Sequence, residues 1–204
     1  VYKRQRLLGK EDIAVKYETL ADKILTDIVA EYYSPNGRCC INTQTAALLT
    51  LHEGLNRQDR ALQQLLTLLQ NADDKLKTGF VGTPLLCEEL ADHGQEKLAD
   101  KLLLNEEYPG WLHEVNLGAT TVWERWNSLD ESGHISSTGM NSLNHYAYGA
   151  VAAYIWKRLV GLNPVEDAPG FHKVQIIPHI NYSIGSIQAV YPLSLIHISE
   201  PTRR

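Results

Sequence analysis

From Glu11 to Val160, apolar residues recur mostly at helical spacing, and this periodicity restricts the chain to a predominantly α-helical fold. Between Glu11 and Tyr33 they fall at Ile13, Tyr17, Leu20, Ala21, Ile24, Leu25, Ile28, Val29 and Tyr32, which predicts a long helix with one buried stripe. Ser34-Pro35-Asn36-Gly37 ends it, because proline disfavours helix in the residue before it and glycine supplies a turn. Further helices are predicted from Thr43 to Glu53, from Gln58 to Ala72 with Ala61, Leu62, Leu65, Leu66 and Leu69 on one face, and from Thr83-Pro84 to His93-Gly94. Pro84 falls in a first turn, where a missing N–H costs nothing. Another helix runs on to Asn105, and one from Asn144 to Val160 is apolar nearly all round, which predicts burial on most sides.

Short helices joined by short loops make antiparallel hairpins, stacked as a solenoid or closed as a toroid. No fixed repeat signature is present, which disfavours the solenoid. Beyond Asn163-Pro164 the pattern changes: Lys173–Ile177 and Ile184–Tyr191 read as strands, and a domain boundary is expected near 162–172. The opening residues 1–5 and the closing residues 194–204 resemble translated sequencing-adapter tails and are expected to be non-native.

The composition excludes several classes of function. A net charge of -5 with no basic block argues against nucleic acid as a partner. No apolar run is long enough to span a membrane, and the compartment stays open. Cys39, Cys40 and Cys87 are odd in number and two are adjacent, so no disulfide framework is indicated. The eight histidines show no His-Glu-x-x-His spacing, and no metal or cofactor is expected.

The chemistry concentrates between Tyr108 and Met140, a segment rich in Gly, Trp, Asn, Ser and Thr that holds at most one short helix. Three of the four tryptophans lie between 111 and 126, off any helical stripe. Two readings stand: rigid aromatics beside carboxylates and amides suit the faces and hydroxyls of a sugar, or the indoles plug a core beneath long loops. Glu124 also has two readings. Thr121-Val122-Trp123-Glu124 fits a capping box, with Thr121 as N-cap and Glu124 reaching back. Alternatively, Glu124 is a general base that activates water against a sugar carbon.

Gly118-Ala119-Thr120-Thr121-Val122-Trp123-Glu124-Arg125-Trp126, followed by Gly139-Met140-Asn141-Ser142-Leu143-Asn144-His145-Tyr146-Ala147-Tyr148-Gly149-Ala150, resembles the bacterial α-L-rhamnosidase family. Thr78-Gly79-Phe80-Val81-Gly82-Thr83-Pro84, Tyr108-Pro109-Gly110-Trp111 and Asn42-Thr43-Gln44-Thr45-Ala46 support it, and the likeness runs from about Glu11 to Tyr191. The resemblance implies an all-α fold: half of an (α/α)6 toroid over 6–165, followed at 166–193 by the first strands of a truncated β-sandwich. It implies inverting hydrolysis of terminal α-L-rhamnose from a glycoside substrate, with Glu124 as general base, His145 on the rhamnose hydroxyls and Trp111 lining the site. The family's general acid lies in an Asp- and Arg-rich motif ending in Gly-Trp-x-Gly-Asp, and nothing in the 204 residues matches it. The expectation is therefore a chain inactive by itself, of unassigned oligomeric state. Some relatives bind calcium, but no Asp-rich loop here supports such a site. The competing readings are another (α/α)6 glycosidase and a non-catalytic helical carbohydrate-binding module.

Overall fold

The computed structural model describes residues 2–55, 57–130, 132–136, 139–168 and 170–192. The expected non-native segment 194–204 lies outside the described residues, as does Val1. The chain divides between Gln95 and Glu96 into two compact units.

The first unit is helical. Helices α2 (Glu11–Tyr32), α3 (Gln44–His52), α4 (Gln58–Gln70) and α5 (Thr83–Asp92) follow the predicted segments closely, and a short helix α1 (Tyr2–Leu7), not predicted, precedes them. Thr43 caps α3, its hydroxyl accepting the Ala46 N–H at 3.2 Å, which satisfies one of the orphan donors of the first turn. Helix α3 packs against both α4 and α5, and its Ala47, Leu48 and Leu51 meet a core that includes Leu65 and Leu69 from α4 and Leu86 and Leu90 from α5. Gln44 joins this core to the loop ahead of α5, donating to the Lys75 carbonyl and accepting the Lys77 N–H.

Helix α2 departs from expectation. Its predicted apolar stripe is formed, but only Ala14 is buried; Ile13, Tyr17, Leu20, Ile24, Leu25 and Tyr32 are each more than a third exposed. Periodicity shows which face of a helix is apolar and not what covers it.

The second unit contains α6 (Glu96–Leu103), the short α7 (Trp111–Asn116), and a helical segment in three styles. That segment runs as a 3-10 turn (Ala147–Ala150), one α-turn, α8 (Val151–Tyr154), and a π-turn (Ile155–Leu159). It starts three residues later than the sequence suggests, because His145 is held by a loop described below. Burial on most sides is also not observed: Ala147, Tyr148, Tyr154 and Leu159 are buried, while Ala152 and Ala153 are exposed. Gly161 ends the segment at φ +74°, where a Cβ would sit 2.2 Å from the Ile177 carbonyl.

Strand β1 (Leu162–Pro164) pairs antiparallel with β2 (Val174–Ile176), in the register Leu162 to Ile176 and Pro164 to Val174. The strand expected over Ile184–Tyr191 is not formed. Gly185, at φ +79°, turns the chain at its start, and Ile187, Ala189 and Tyr191 line an apolar cavity of about 570 Å³ with Trp156 and Leu159. Pro164, which discourages a strand assignment by sequence, sits at the end of β1 and needs no N–H there.

Candidate active site

Two motif segments, separate in sequence, are joined by their backbones in the second unit. Glu124 N–H donates to the Ser142 carbonyl at 2.9 Å, and His145 N–H donates to the Val122 carbonyl at 2.8 Å. The Thr121 hydroxyl donates to the Leu143 carbonyl. Neither segment is a helix or a strand, so each would leave polar backbone groups unpaired, and each serves as the other's partner. The capping box is thereby overturned: no helix starts after Thr121, whose hydroxyl is committed across the loop. Glu124 is left half-buried on this paired strip.

His145 closes the strip and opens the helical segment. Its Nδ1 accepts the Ala147 N–H at 3.3 Å, and its ring stacks on the exposed Tyr146 at 5.3 Å between centroids. With Nδ1 accepting, the proton of the neutral imidazole resides on Nε2, which becomes a donor.

The loop between the two segments is tied off at its base. Ser128, fully buried, donates to Asn141 Oδ1 at 2.6 Å and accepts the Arg125 N–H, while Asn141 Nδ2 donates to the Ser128 carbonyl at 2.9 Å. A bridge between Leu129 and Ile135 continues the closure.

Beneath the strip lies an aromatic floor. Trp126 stacks on Tyr148 with 4.0 Å between centroids at 7°, and Trp111 meets Trp126 edge-on at 5.3 Å. Trp111 Nε1 donates to the Tyr148 carbonyl at 2.9 Å. Trp111, Trp123 and Trp126 are all buried. The burial of all three indoles and the engaged Trp111 N–H accord with the reading in which they fill a core beneath loops.

One polar residue escaped the sequence reading. Glu114, on α7, is 3% exposed, and among the described residues its Oε1 has no hydrogen-bond partner. Burial pushes its carboxyl up to about 8, against a smaller opposing pull from the Trp123 backbone N–H. Burial also raises the Tyr148 hydroxyl, and the charges of Glu114, Tyr108 and Glu124 add to that effect while the Arg125 guanidinium opposes it. A usable sequence signal existed: Glu114 lies three residues after Trp111, on the same helix face.

No cluster of three or more His, Cys, Asp or Glu side chains fit to hold a metal occurs among the described residues. The larger cavities lie elsewhere. One of about 410 Å³ includes Arg38, Asn42 and Arg60, and one of about 620 Å³ includes Lys97, Asp100 and His179. Volume is a poorer guide here than the paired backbones, because those cavities bring no carboxylate together with the motif residues.

Residues 1–159 match the family described as the bacterial alpha-L-rhamnosidase 6 hairpin glycosidase domain. The alpha-L-rhamnosidase of Formosa agariphila is 40% identical over 181 residues, which make up 86% of this chain and 19% of that protein. The crystal structure of Streptomyces avermitilis α-L-rhamnosidase complexed with L-rhamnose is 34% identical and superposes with a TM-score of 0.79, over 88% of this chain and 17% of that one. The α-L-rhamnosidase structure from Aspergillus terreus is 30% identical with a TM-score of 0.81, over 88% of this chain and 21% of that one. The chain thus spans about a fifth of the length of these relatives. The expected fold class, helical hairpins from an (α/α)6 toroid followed by a small β element, agrees with both kinds of match.

Proposed function

Because the chain belongs to the bacterial α-L-rhamnosidase six-hairpin glycosidase family, we propose that it forms one wall of a catalytic cleft that hydrolyses terminal α-L-rhamnose from glycosides. In this reading residues 6–165 are the second half of the toroid, and 166–193 begin a C-terminal β-sandwich. The observation that supports it is the backbone pairing of Thr121–Glu124 with Ser142–His145, which sets the segment carrying Glu124 beside the segment carrying His145.

Each residue has a distinct role in the proposed reaction. Glu124, ionised, takes a proton from a water as its oxygen attacks the anomeric carbon on the face opposite the leaving group. The bond from that carbon to the glycosidic oxygen breaks, and the departing oxygen takes a proton from a carboxylic acid supplied outside these 204 residues. The configuration at the anomeric carbon inverts. An inverting pair stands about 6.5–9.5 Å apart, leaving room for the water. His145 donates from Nε2 to a rhamnose hydroxyl, fixed in that tautomer by the Ala147 N–H on Nδ1. Trp111 lines the site, its indole held in place by the Tyr148 carbonyl and by edge-on contact with Trp126.

The test is the stereochemistry of the first product. Proton NMR during hydrolysis of p-nitrophenyl α-L-rhamnoside by the full-length enzyme is expected to show β-L-rhamnose before mutarotation. Initial α-L-rhamnose would contradict an inverting role for Glu124. The 204-residue chain alone is expected to give no turnover, since it brings one member of the pair.

A further inference from the structure

We propose that Glu114 is a positioning residue of this site, which locks the peptide leading into Glu124 against α7 and Tyr148. The proposal rests on reading Glu124 as the base. It starts from a geometric oddity: a carboxyl group 3% exposed, with one oxygen out of reach of solvent and unpartnered among the described residues, in a wall that carries the motif. A carboxylate is among the groups least tolerated in such a place unless it is paired.

The groups facing Glu114 explain how it is accommodated. From the motif loop comes the backbone N–H of Trp123, the residue preceding Glu124. From the helical segment comes Tyr148, whose hydroxyl feels the Glu114 charge as well as those of Tyr108, Arg125 and Glu124. On α7 itself the neighbouring titratable group is His113, whose ring stands edge-on to Tyr108 at 5.6 Å. Among the described residues, desolvation of the Glu114 carboxyl dominates over the pull of one N–H. The group is therefore a neutral acid at neutral pH, with a carboxyl raised to about 8.

A neutral acid suits this position. It fills the space under Trp123, which is 2% exposed, with polar atoms able to meet a backbone N–H. It adds no second negative charge beside Glu124, whose own ionisation the reaction needs. An apolar side chain of similar size would leave the Trp123 N–H facing a surface with no acceptor, and the Trp123–Glu124 peptide would be free to shift. Misplacing a catalytic group by about 1 Å commonly costs on the order of 10²-fold in rate.

The test compares Glu114→Gln and Glu114→Leu in the full-length enzyme with p-nitrophenyl α-L-rhamnoside, and follows the Glu114 carboxyl by ¹³C NMR. Glutamine keeps an acceptor and stays neutral, so kcat is expected to remain within about threefold of the parent at pH 6–7. Leucine is expected to lower kcat about 10–100-fold with KM nearly unchanged. The carboxyl resonance that disappears in Glu114→Gln is expected to titrate near pH 8. A midpoint below about 6 would overturn the proposal, as would a glutamine variant with kcat lowered about tenfold or more; neither needs the leucine variant to fold. The titration is independent of turnover, so an active Glu124→Gln enzyme would refute the base while leaving the buried neutral acid to be judged on its own.

Discussion

Asp100 anchors the C-terminal part of the second unit, and replacing it should cost about 3 kcal/mol. Its carboxylate, 5% exposed on α6, accepts the Tyr154 hydroxyl at 2.8 Å, His179 Nε2 at 3.0 Å and Asn181 Nδ2 at 2.7 Å. These bonds tie α6 to α8 and to the segment after β2. The three donors do not lose equally when the acceptor is removed. Tyr154 is 1% exposed, so Asp100→Ala takes a buried acceptor from its hydroxyl, at about 1–3 kcal/mol. The His179 side chain is about one-third exposed and returns to solvent, losing only about 0.5–1.5 kcal/mol net.

Tyr154→Phe deletes the donor and leaves Asp100 two partners, at about 1.5 kcal/mol. The double variant loses the shared Tyr154–Asp100 bond only once, so it should cost about 3 kcal/mol, less than the two singles together, with a coupling of about 1.5 kcal/mol. All four tryptophans lie beyond residue 110, so tryptophan emission during urea unfolding reports the second unit alone. The Asp100→Ala midpoint is expected to fall by about 2 M, for a slope near 1.5 kcal/mol/M. Exposed Glu166→Ala serves as control and should shift stability by less than about 0.5 kcal/mol. An Asp100 shift no larger than the control, or strict additivity in the cycle, would refute the anchoring role.

Gly161→Ala should destabilise the same unit by more than about 3 kcal/mol, because φ is +74° and the new Cβ would overlap the Ile177–Pro178 peptide; a urea midpoint equal to the parent would contradict this. The exposed stripe of α2 should drive self-association of the isolated chain, and Leu20→Lys with Ile24→Lys should suppress it in light scattering. A monodisperse parent chain at high concentration would oppose that expectation. The raised Glu114 carboxyl also sets a pH dependence. The folded state holds a proton that the unfolded state releases above about 4.5, so stability from this group falls as pH rises from about 4.5 to 8, by at most about 1.4 kcal/mol per unit. Glu114→Gln should remove that slope, and an identical slope in parent and variant would show that Glu114 titrates normally.

The helices were legible because their signals are local. Thr43 ahead of α3, Pro84 at the start of α5 and the apolar stripe of α2 each act within a few residues, and all three helices form where those signals place them. Long-range pairing was not legible. The capping-box pattern at Thr121 and Glu124 is a valid local signal, yet the Ser142 and Leu143 carbonyls outcompete it across the loop. The same pairing holds His145 out of the helix and delays its start to Ala147. Glu114 was not singled out, although it follows Trp111 by three residues, because its link to the Trp123 N–H joins positions nine residues apart across a loop. The strand partner of Val174–Ile176 was missed for a similar reason: Leu162–Pro164 is short and ends in proline, whereas the better alternation of Ile184–Tyr191 is interrupted at Gly185.

The central claim is that Glu124 is the base, and steady-state kinetics of Glu124→Gln in the full-length enzyme test it most directly. Glutamine preserves the side chain's size and leaves intact the backbone bonds from Glu124 to Ser142 and from His145 to Val122, so the folded site and KM should change little. Loss of the base should lower kcat on p-nitrophenyl α-L-rhamnoside by about 10²–10⁴-fold. A Glu124→Gln enzyme with kcat within about threefold of the parent would contradict the account, and Glu124 would then be no more than a half-buried residue of the paired strip.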